Sequence, residues 1–524
     1  MPPGKEPISK PRENQMLLHS LTTLLSIVAI GSSFSMPGAA QCNSQPSDSS
    51  FPVSQQGAIL IGNPATQFSI TRVVGPGTPS EFNSDGTLAN WQTYVQNEVV
   101  SPYAYLSYIG EYSANDTVIG SVISIFLNGW LVAQEPVPDT LITDCIRIPI
   151  QYVKFAQRVA VGQSPTPGVN TIAVSIDGIF SNGNAGVNLG NLAFHAMPPI
   201  VLVHGIRAAE DWFPNNGFTA PLDEAKVPYD YAVKQGFTSL DPGTIADTGQ
   251  TLSDAIPAIA AEFGASHVHI VAHSKGGLWS RYFLKFGEPA SLTAPSSPTN
   301  IGVLSLTTLD TPHNGSILAD IAATVTETIR LDALVNPVSQ LLIDYLSTNQ
   351  RQLVEQVQDL TLEEVAEFNQ RTGDPPAAFA DPDGSTYYTA YSSVAADADI
   401  GDKTDASGRY VDSTDCAGMG LPTLICQAMY SVVGSEDRLS ANSVNGSYSS
   451  SSYSFDLNDT VVTQNSSSWH QFSSPGSGFS TFEPLFSNLR KNHSTVGDEC
   501  VAGGGACNAG AGVLGVIETI QSQY

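Results

Sequence analysis

The stretch that most constrains this chain is His267-Val268-His269-Ile270-Val271-Ala272-His273-Ser274-Lys275-Gly276-Gly277-Leu278-Trp279-Ser280-Arg281-Tyr282-Phe283. Its first part is a short apolar run rich in β-branched residues (Val268, Ile270, Val271) and reads as a buried strand, while Lys275 to Phe286 reads as a helix. Ser274 therefore falls on the turn between them. A strand can run that sharply into a helix only where the residues two places before and after the turn are small, and Ala272 and Gly276 are. This is the pattern of a nucleophile elbow, with Ala where Gly is usual. The five-residue pattern alone arises by chance about once in a chain of this size, so its weight comes from the strand before and the helix after.

The surrounding text agrees with a parallel sheet. Pro198-Pro199-Ile200-Val201-Leu202-Val203-His204-Gly205-Ile206 holds an all-apolar strand of the kind buried on both faces. A candidate helix, Thr251 to Phe263, with Pro257 placed to kink it, leads to the elbow strand. A further strand, Ile301 to Leu309, ends in Asp310-Thr311-Pro312-His313-Asn314-Gly315-Ser316. Strand, helix, strand in succession indicates an α/β architecture. From about Ser316 to Asn369 the apolar spacing is helical, which predicts either a helical cap over the site, about residues 316–385, or ordinary crossover helices. Tyr387 to Val394 and Ala428 to Val433 resume as strands, and Ser440 to Ser480 reads as surface loop.

The text before position 196 differs. Short β-type runs punctuated by turn residues (Ala58 to Ile61, Phe68 to Val74, Val118 to Leu127, Leu141 to Ile150, Asn170 to Asp177) predict an all-β sandwich domain over residues 57–195, almost without helical periodicity. Residues 41–56 have linker composition. Residues 1–40, with Lys5, Lys10 and Arg12 before the mostly apolar run Met16 to Phe34 and then Pro37-Gly38-Ala39-Ala40, have the form of a signal peptide. The expectation is a secreted protein, in which the six cysteines would form disulfides, with Cys416–Cys426, Cys500–Cys507 and Cys42–Cys145 the first pairings by proximity. A net charge of −28 with only 21 Lys plus Arg, and no basic patch, excludes nucleic acid as an expected partner.

The chemistry of a serine nucleophile demands a base, a carboxylate that orients it, and backbone donors for the developing oxyanion. In an α/β-hydrolase the order along the chain is Ser, acid, His. Val432-Val433-Gly434-Ser435-Glu436-Asp437 supplies the acid: Asp437, with Glu436 in reserve. His493, in Lys491-Asn492-His493-Ser494, supplies the base, with His470 in reserve. His273 beside the nucleophile is assigned a structural role. The N–H of Ile206, after the His204-Gly205 strand end, and that of Lys275 would make a two-donor oxyanion hole.

Val201-Leu202-Val203-His204-Gly205, Ala272-His273-Ser274-Lys275-Gly276-Gly277, Thr311-Pro312-His313-Asn314-Gly315-Ser316, Leu360 to Asn369 with Tyr387-Tyr388, and Asn492-His493 together resemble the bacterial true-lipase family of α/β-hydrolases, in family order, over about residues 198 to 500. The resemblance implies hydrolysis of lipid or other carboxylic esters with Ser274 as nucleophile, His493 as base and Asp437 as orienter, and transient contact with a lipid interface. Glu436-Asp437-Arg438-Leu439 and Ala272 depart from the family pattern, and the N-terminal β region lies outside the family core. The resemblance implies no cofactor; some members bind a structural calcium ion, and no oxygen-ligand cluster assigns one here. Two other readings stand beside it: a polyester depolymerase using the same triad, and a non-catalytic surface-binding protein on a hydrolase scaffold. Retention of Ser274, Asp437 and His493 argues against the last. Oligomeric state is not read from the sequence.

Overall fold

The computed structural model describes residues 49–53, 65–112, 122–136, 142–177, 185–206, 212–215, 217–232, 244–287, 301–326, 357–372 and 387–391. The expected signal peptide, most of the expected linker, the runs Ala58 to Ile61 and Ala428 to Val433, and the loop Ser440 to Ser480 lie outside the described residues. So do five of the cysteines, so that of the expected pairings only the Cys145 end, in a strand, is described.

The described residues of the N-terminal region form eight strands: β1 (Ser49–Pro52), β2 (Thr66–Ile70), β3 (Tyr103–Tyr112), β4 (Val122–Leu127), β5 (Trp130–Pro136), β6 (Ile142–Pro149), β7 (Gly168–Asp177) and β8 (Ala185–Phe194). They form two four-stranded antiparallel sheets, in the orders β1-β8-β3-β6 and β2-β7-β4-β5. The period of two fits each sheet to one buried face: in β2, Phe68 and Ile70 point inward while Gln67 and Ser69 are exposed. Inward residues of both sheets, including Leu106, Leu192, Ile125 and Ile172, meet in one core. The β4–β5 hairpin closes through Asn128 (φ 53°) and Gly129 (φ 85°), the Asn-Gly pair that a two-residue turn with positive φ at both positions favours.

Two expectations are corrected in this region. Residues 49–52, within the stretch of linker composition, form a strand against β8, because Phe51 stacks on Phe194 with ring centroids 5.6 Å apart and Val53 is buried. A short helix, Trp91–Gln96, interrupts what the sequence presented as strands and turns, anchored by the buried Tyr94.

The second region holds β9 (Ile200–Val203), β10 (Tyr229–Tyr231), β11 (His267–His273), β12 (Gly302–Leu309) and β13 (Tyr387–Tyr391), all parallel, in the order β10-β9-β11-β12-β13. Side chains alternate between its two faces. Val201, Val203, Ile270, Ala272 and Leu306 pack with the helices Ile245–Glu262 and Lys275–Phe286. Ile200, Leu202, Val271 and Leu309 belong instead to the core that the antiparallel sheets share with Phe213 and Leu222 of the short helices after β9 and Phe218 of the turn between them. A parallel sheet must be covered on both faces; here the β region contributes to the second cover and is continuous with the α/β core.

Two buried arginines fasten that junction. Arg72 donates through Nη2 to the carbonyls of Ala196 (2.7 Å) and Met197 (2.9 Å). Arg158 pairs through Nη1 with Asp230 Oδ2 at 2.9 Å, donates through Nη2 to the Tyr229 carbonyl at 2.8 Å, and lies over the Phe263 ring. Burial pulls the Arg158 pKa down, and the Asp230 carboxylate opposes that shift.

The helix expected from Thr251 begins at Ile245, because Thr244 and Asp247 form a reciprocal capping box: the Thr244 side chain accepts from the Asp247 N–H and the Asp247 side chain from that of Thr244. Pro257 lies inside it. Within the stretch read as cap or crossover, helices Ile317–Thr326 and Leu362–Thr372 are described, and Ala319, Val365 and Phe368 pack into the core of the sheet's helical face.

Candidate active site

The site lies at the carboxyl ends of β9, β11 and β12, the edge where ligands bind in open parallel sheets. Ser274 joins β11 to the helix Lys275–Phe286 with φ 56° and ψ −134°, a backbone conformation that non-glycine residues rarely adopt. Three contacts hold it there. Its N–H donates to the Leu309 carbonyl at the end of β12 (2.9 Å), and its carbonyl accepts from the Gly277 N–H (3.0 Å). Its side chain is close against Gly205, where a Cβ would stand 2.5 Å from Ser274 Cβ and 3.1 Å from Oγ.

Neighbouring glycines are required by the same crowding. A Cβ on Gly276 would meet the Val203 carbonyl oxygen at 2.8 Å, and one on Gly277 would meet Thr311 Oγ1 at 2.1 Å. Ala272, in the position usually held by Gly, is fully buried between Val203 and Thr308 of the flanking strands. The short turn is thus paired on one side with the β9 end, His204-Gly205-Ile206, and on the other with the β12 end.

The predicted site residues fall into two groups. Ser274, Lys275 and the Gly205-Ile206 turn are brought together at one sheet edge. Asp437 and His493, with the reserves Glu436 and His470, lie outside the described residues. His273 stacks on Trp212 with ring centroids 3.9 Å apart and 16° between planes, consistent with a packing role. His204 is buried and pulled below its ordinary pKa by desolvation, its Nδ1 3.0 Å from the Gly205 carbonyl.

The structure adds groups that sequence reasoning missed. The Lys275 side chain is buried and pairs with Asp359 Oδ1 at 2.6 Å, while Asp359 Oδ2 accepts from the Ile245 N–H at 2.7 Å. Burial pulls the Lys275 pKa down and Asp359 holds it up. The carboxylate so links the first residue of the elbow helix to the first residue of the preceding helix, across a sequence separation that leaves no local signal. Arg281, on the elbow helix, donates through Nη2 to Asn369 Oδ1 (2.9 Å) and Thr372 Oγ1 (3.2 Å), and the Asn369 amide donates to the His313 carbonyl (2.8 Å). His313 lies between Arg281 and Thr308; burial first, then the guanidinium charge, pushes its pKa well below the ordinary value. The motif Thr311-Pro312-His313-Asn314-Gly315-Ser316 therefore ties the β12 end to helix Leu362–Thr372. Its Gly315, at φ 90°, lies so close to the Leu360 and Thr361 carbonyls that a Cβ there would stand 3.1 and 3.0 Å from them.

No protein-family profile matches the chain. Among curated proteins, it is 33% identical over 135 residues to a triacylglycerol lipase of Pseudarthrobacter phenanthrenivorans, covering 25% of this chain and 38% of that protein. It is likewise 33% identical over 135 residues to a triacylglycerol lipase of Burkholderia plantarii, covering 25% of this chain and 34% of that protein. The matched stretch thus spans little more than a third of each relative. Among solved structures, a Bacillus licheniformis lipase in mature form is 19% identical with a TM-score of 0.32, covering 57% of this chain and 86% of the other. A Staphylococcus hyicus lipase is 19% identical with a TM-score of 0.29, covering 57% and 88%. At scores this low the α/β assignment stands on the chain's own parallel sheet and elbow.

Proposed function

We propose that the chain is a serine carboxylester hydrolase, a secreted lipase or esterase acting on acyl esters. The observation that carries the reading is Ser274: a hydroxyl residue held at φ 56° and ψ −134° between a parallel strand and a helix, with Gly205, Gly276 and Gly277 clearing the space around it. The sequence similarity to triacylglycerol lipases supports the choice of ester over other acyl substrates.

In the proposed reaction Ser274 Oγ attacks the ester carbonyl carbon while its proton passes to the His493 imidazole, and the carbonyl π pair moves onto oxygen, toward the N–H groups of Ile206 and Lys275. Collapse breaks the bond to the alkoxy oxygen, which leaves as the alcohol with the proton from the imidazolium. Water then repeats the steps on the acyl-serine and releases the carboxylic acid. A carboxylate that follows Ser274 along the chain holds the imidazole and balances its charge.

The test is covalent labelling with a serine-directed alkyl phosphonate, followed by peptide mapping. Modification confined to the peptide holding Ser274, together with parallel loss of esterase activity, is expected. A protein that hydrolyses esters without modification of Ser274 would overturn the assignment.

A further inference from the structure

A second residue of the sheet edge shares the two unusual properties of Ser274. Among the described residues, the non-glycine residues with positive φ are Glu98, Asn128, Lys226, Ser274 and Asp310. Aspartate enters the left-handed region at little cost, so the φ of 48° at Asp310 says little alone. Burial separates the group: Glu98 is exposed, Asn128 and Lys226 are half-buried, and only Ser274 (8% exposed) and Asp310 (0%) are buried. A turn aspartate ordinarily keeps its carboxylate in water, and one that is buried is held by partners inside the protein.

The two are also neighbours. His273 and Leu309 are register partners in the parallel pair β11–β12, so Ser274 and Asp310 are the residues that directly follow the carboxyl ends of two adjacent strands. The Ser274 N–H donates to the carbonyl of Leu309, the residue before Asp310, and Thr311, the residue after it, packs against Gly277 of the elbow. A base that takes the Ser274 proton must stand within about 3 Å of Oγ, and the β12 end is one of the two strand ends that flank the elbow.

We propose that Asp310 is the positioning acid of the site, the carboxylate that holds the histidine base in the tautomer that accepts the Ser274 proton and balances the imidazolium that forms. The proposal rests on the ester-hydrolase reading and replaces Asp437 in this one role. It keeps the chain order Ser, acid, His, as Ser274, Asp310 and His493.

The experiment uses the full chain, wild type and the variants Asp310→Asn and Asp437→Asn, on a soluble short-chain ester across pH, with phosphonate labelling of Ser274 and melting temperature in parallel. Asp310→Asn should lower kcat by about 10⁴ with KM changed less than a few-fold, the scale seen when a triad aspartate is replaced by asparagine in a serine protease. In its residual activity the acidic limb of kcat/KM should move to lower pH, because the base has lost the anion that raised its pKa. His204, His273, Lys275 with Asp359, and Arg281 with His313 surround the elbow unchanged in both variants. A displaced limb therefore reports the base. Asp437→Asn should keep activity within about three-fold of wild type. If Asp310→Asn does not fold, Asp310→Gly, which suits the left-handed backbone, is measured instead. A melting temperature that falls with kcat and the limb unmoved, or a limb that moves in Asp437→Asn alone, overturns the proposal. Wild type that does not label at Ser274 fails the underlying reading instead.

Discussion

In β2 every second side chain is buried, Phe68 and Ile70 inward with Gln67 and Ser69 in solvent, whereas all eight residues of β12 are buried, polar Ser305, Thr307 and Thr308 among them. The antiparallel sheets each use one face and leave the other to water; the parallel sheet has both faces covered, by helices on one side and by the core it shares with the β region on the other. Hydroxyls and imidazoles in the parallel sheet must find partners inside the protein, as His269 does: its Nδ1 lies 2.8 Å from Ser305 Oγ, and burial pushes its pKa down to about 3. Buried strain follows the same division. Among the described residues, buried non-glycine residues with positive φ occur at the carboxyl edge of the parallel sheet, while Glu98 and Asn128 of the β region lie in turns. Rigid cover on both faces is what lets that edge hold a strained serine.

The comparison is tested first, and with the largest effect, at Ser274. Ser274→Ala should abolish ester hydrolysis, by about 10⁶ in kcat on the precedent of subtilisin knockouts; residual activity above a few per cent would remove the nucleophile assignment. Removing the β region, with a chain that begins near Ala196, should strip the cover from Ile200, Leu202 and Val271 and yield insoluble protein. A soluble truncation with full activity on a short-chain ester would show that the shared core is dispensable.

Smaller changes sharpen the junction and the edge separately. Arg158→Ala leaves Asp230 buried without its partner and should cost about 3–5 kcal/mol, read from chemical denaturation, whereas the double change Arg158→Met with Asp230→Leu should cost much less. Equal losses in the two variants would mean that packing over Phe263, and not charge, fastens the regions. Gly205→Ala places a Cβ against Ser274 and should lower kcat by about 10² through displacement of the nucleophile, with a modest fall in melting temperature. An unchanged kcat would show that the β9 end yields freely.

The smallest expected effect is a pH dependence at Asp320, whose carboxyl burial pushes up to about 6 against the Leu362 N–H that it accepts. A carboxyl whose folded pKa is raised is stabilising while protonated, and that contribution is lost as pH rises from about 4 through about 6. Asp320→Asn should therefore raise stability at pH 8, on the order of 2 kcal/mol, and leave it nearly unchanged at pH 4. A stabilisation of equal size at both pH values would point to packing instead.

The sequence by itself determined the local elements whose signal is local. The β-branched run of β11, the small residues at Ala272 and Gly276, and the apolar strands at Ile200–Val203 and Gly302–Leu309 are each dictated by neighbours within a few positions, and so were legible. The strand at Ser49–Pro52 was not, because what makes it a strand is Phe194, far along the chain. Nor were six residues of helix before Thr251, whose capping box is a local signal in polar text that hydrophobic periodicity does not register. Only the tertiary structure decided that the β region shares its core with the parallel sheet, through Arg72 and Arg158, that Lys275 meets Asp359, and that Asp310 stands beside Ser274. Such pairings join residues that are distant in sequence, and the register of two strands, which makes neighbours of Ser274 and Asp310, is set by the packing of the whole sheet and not by either strand alone.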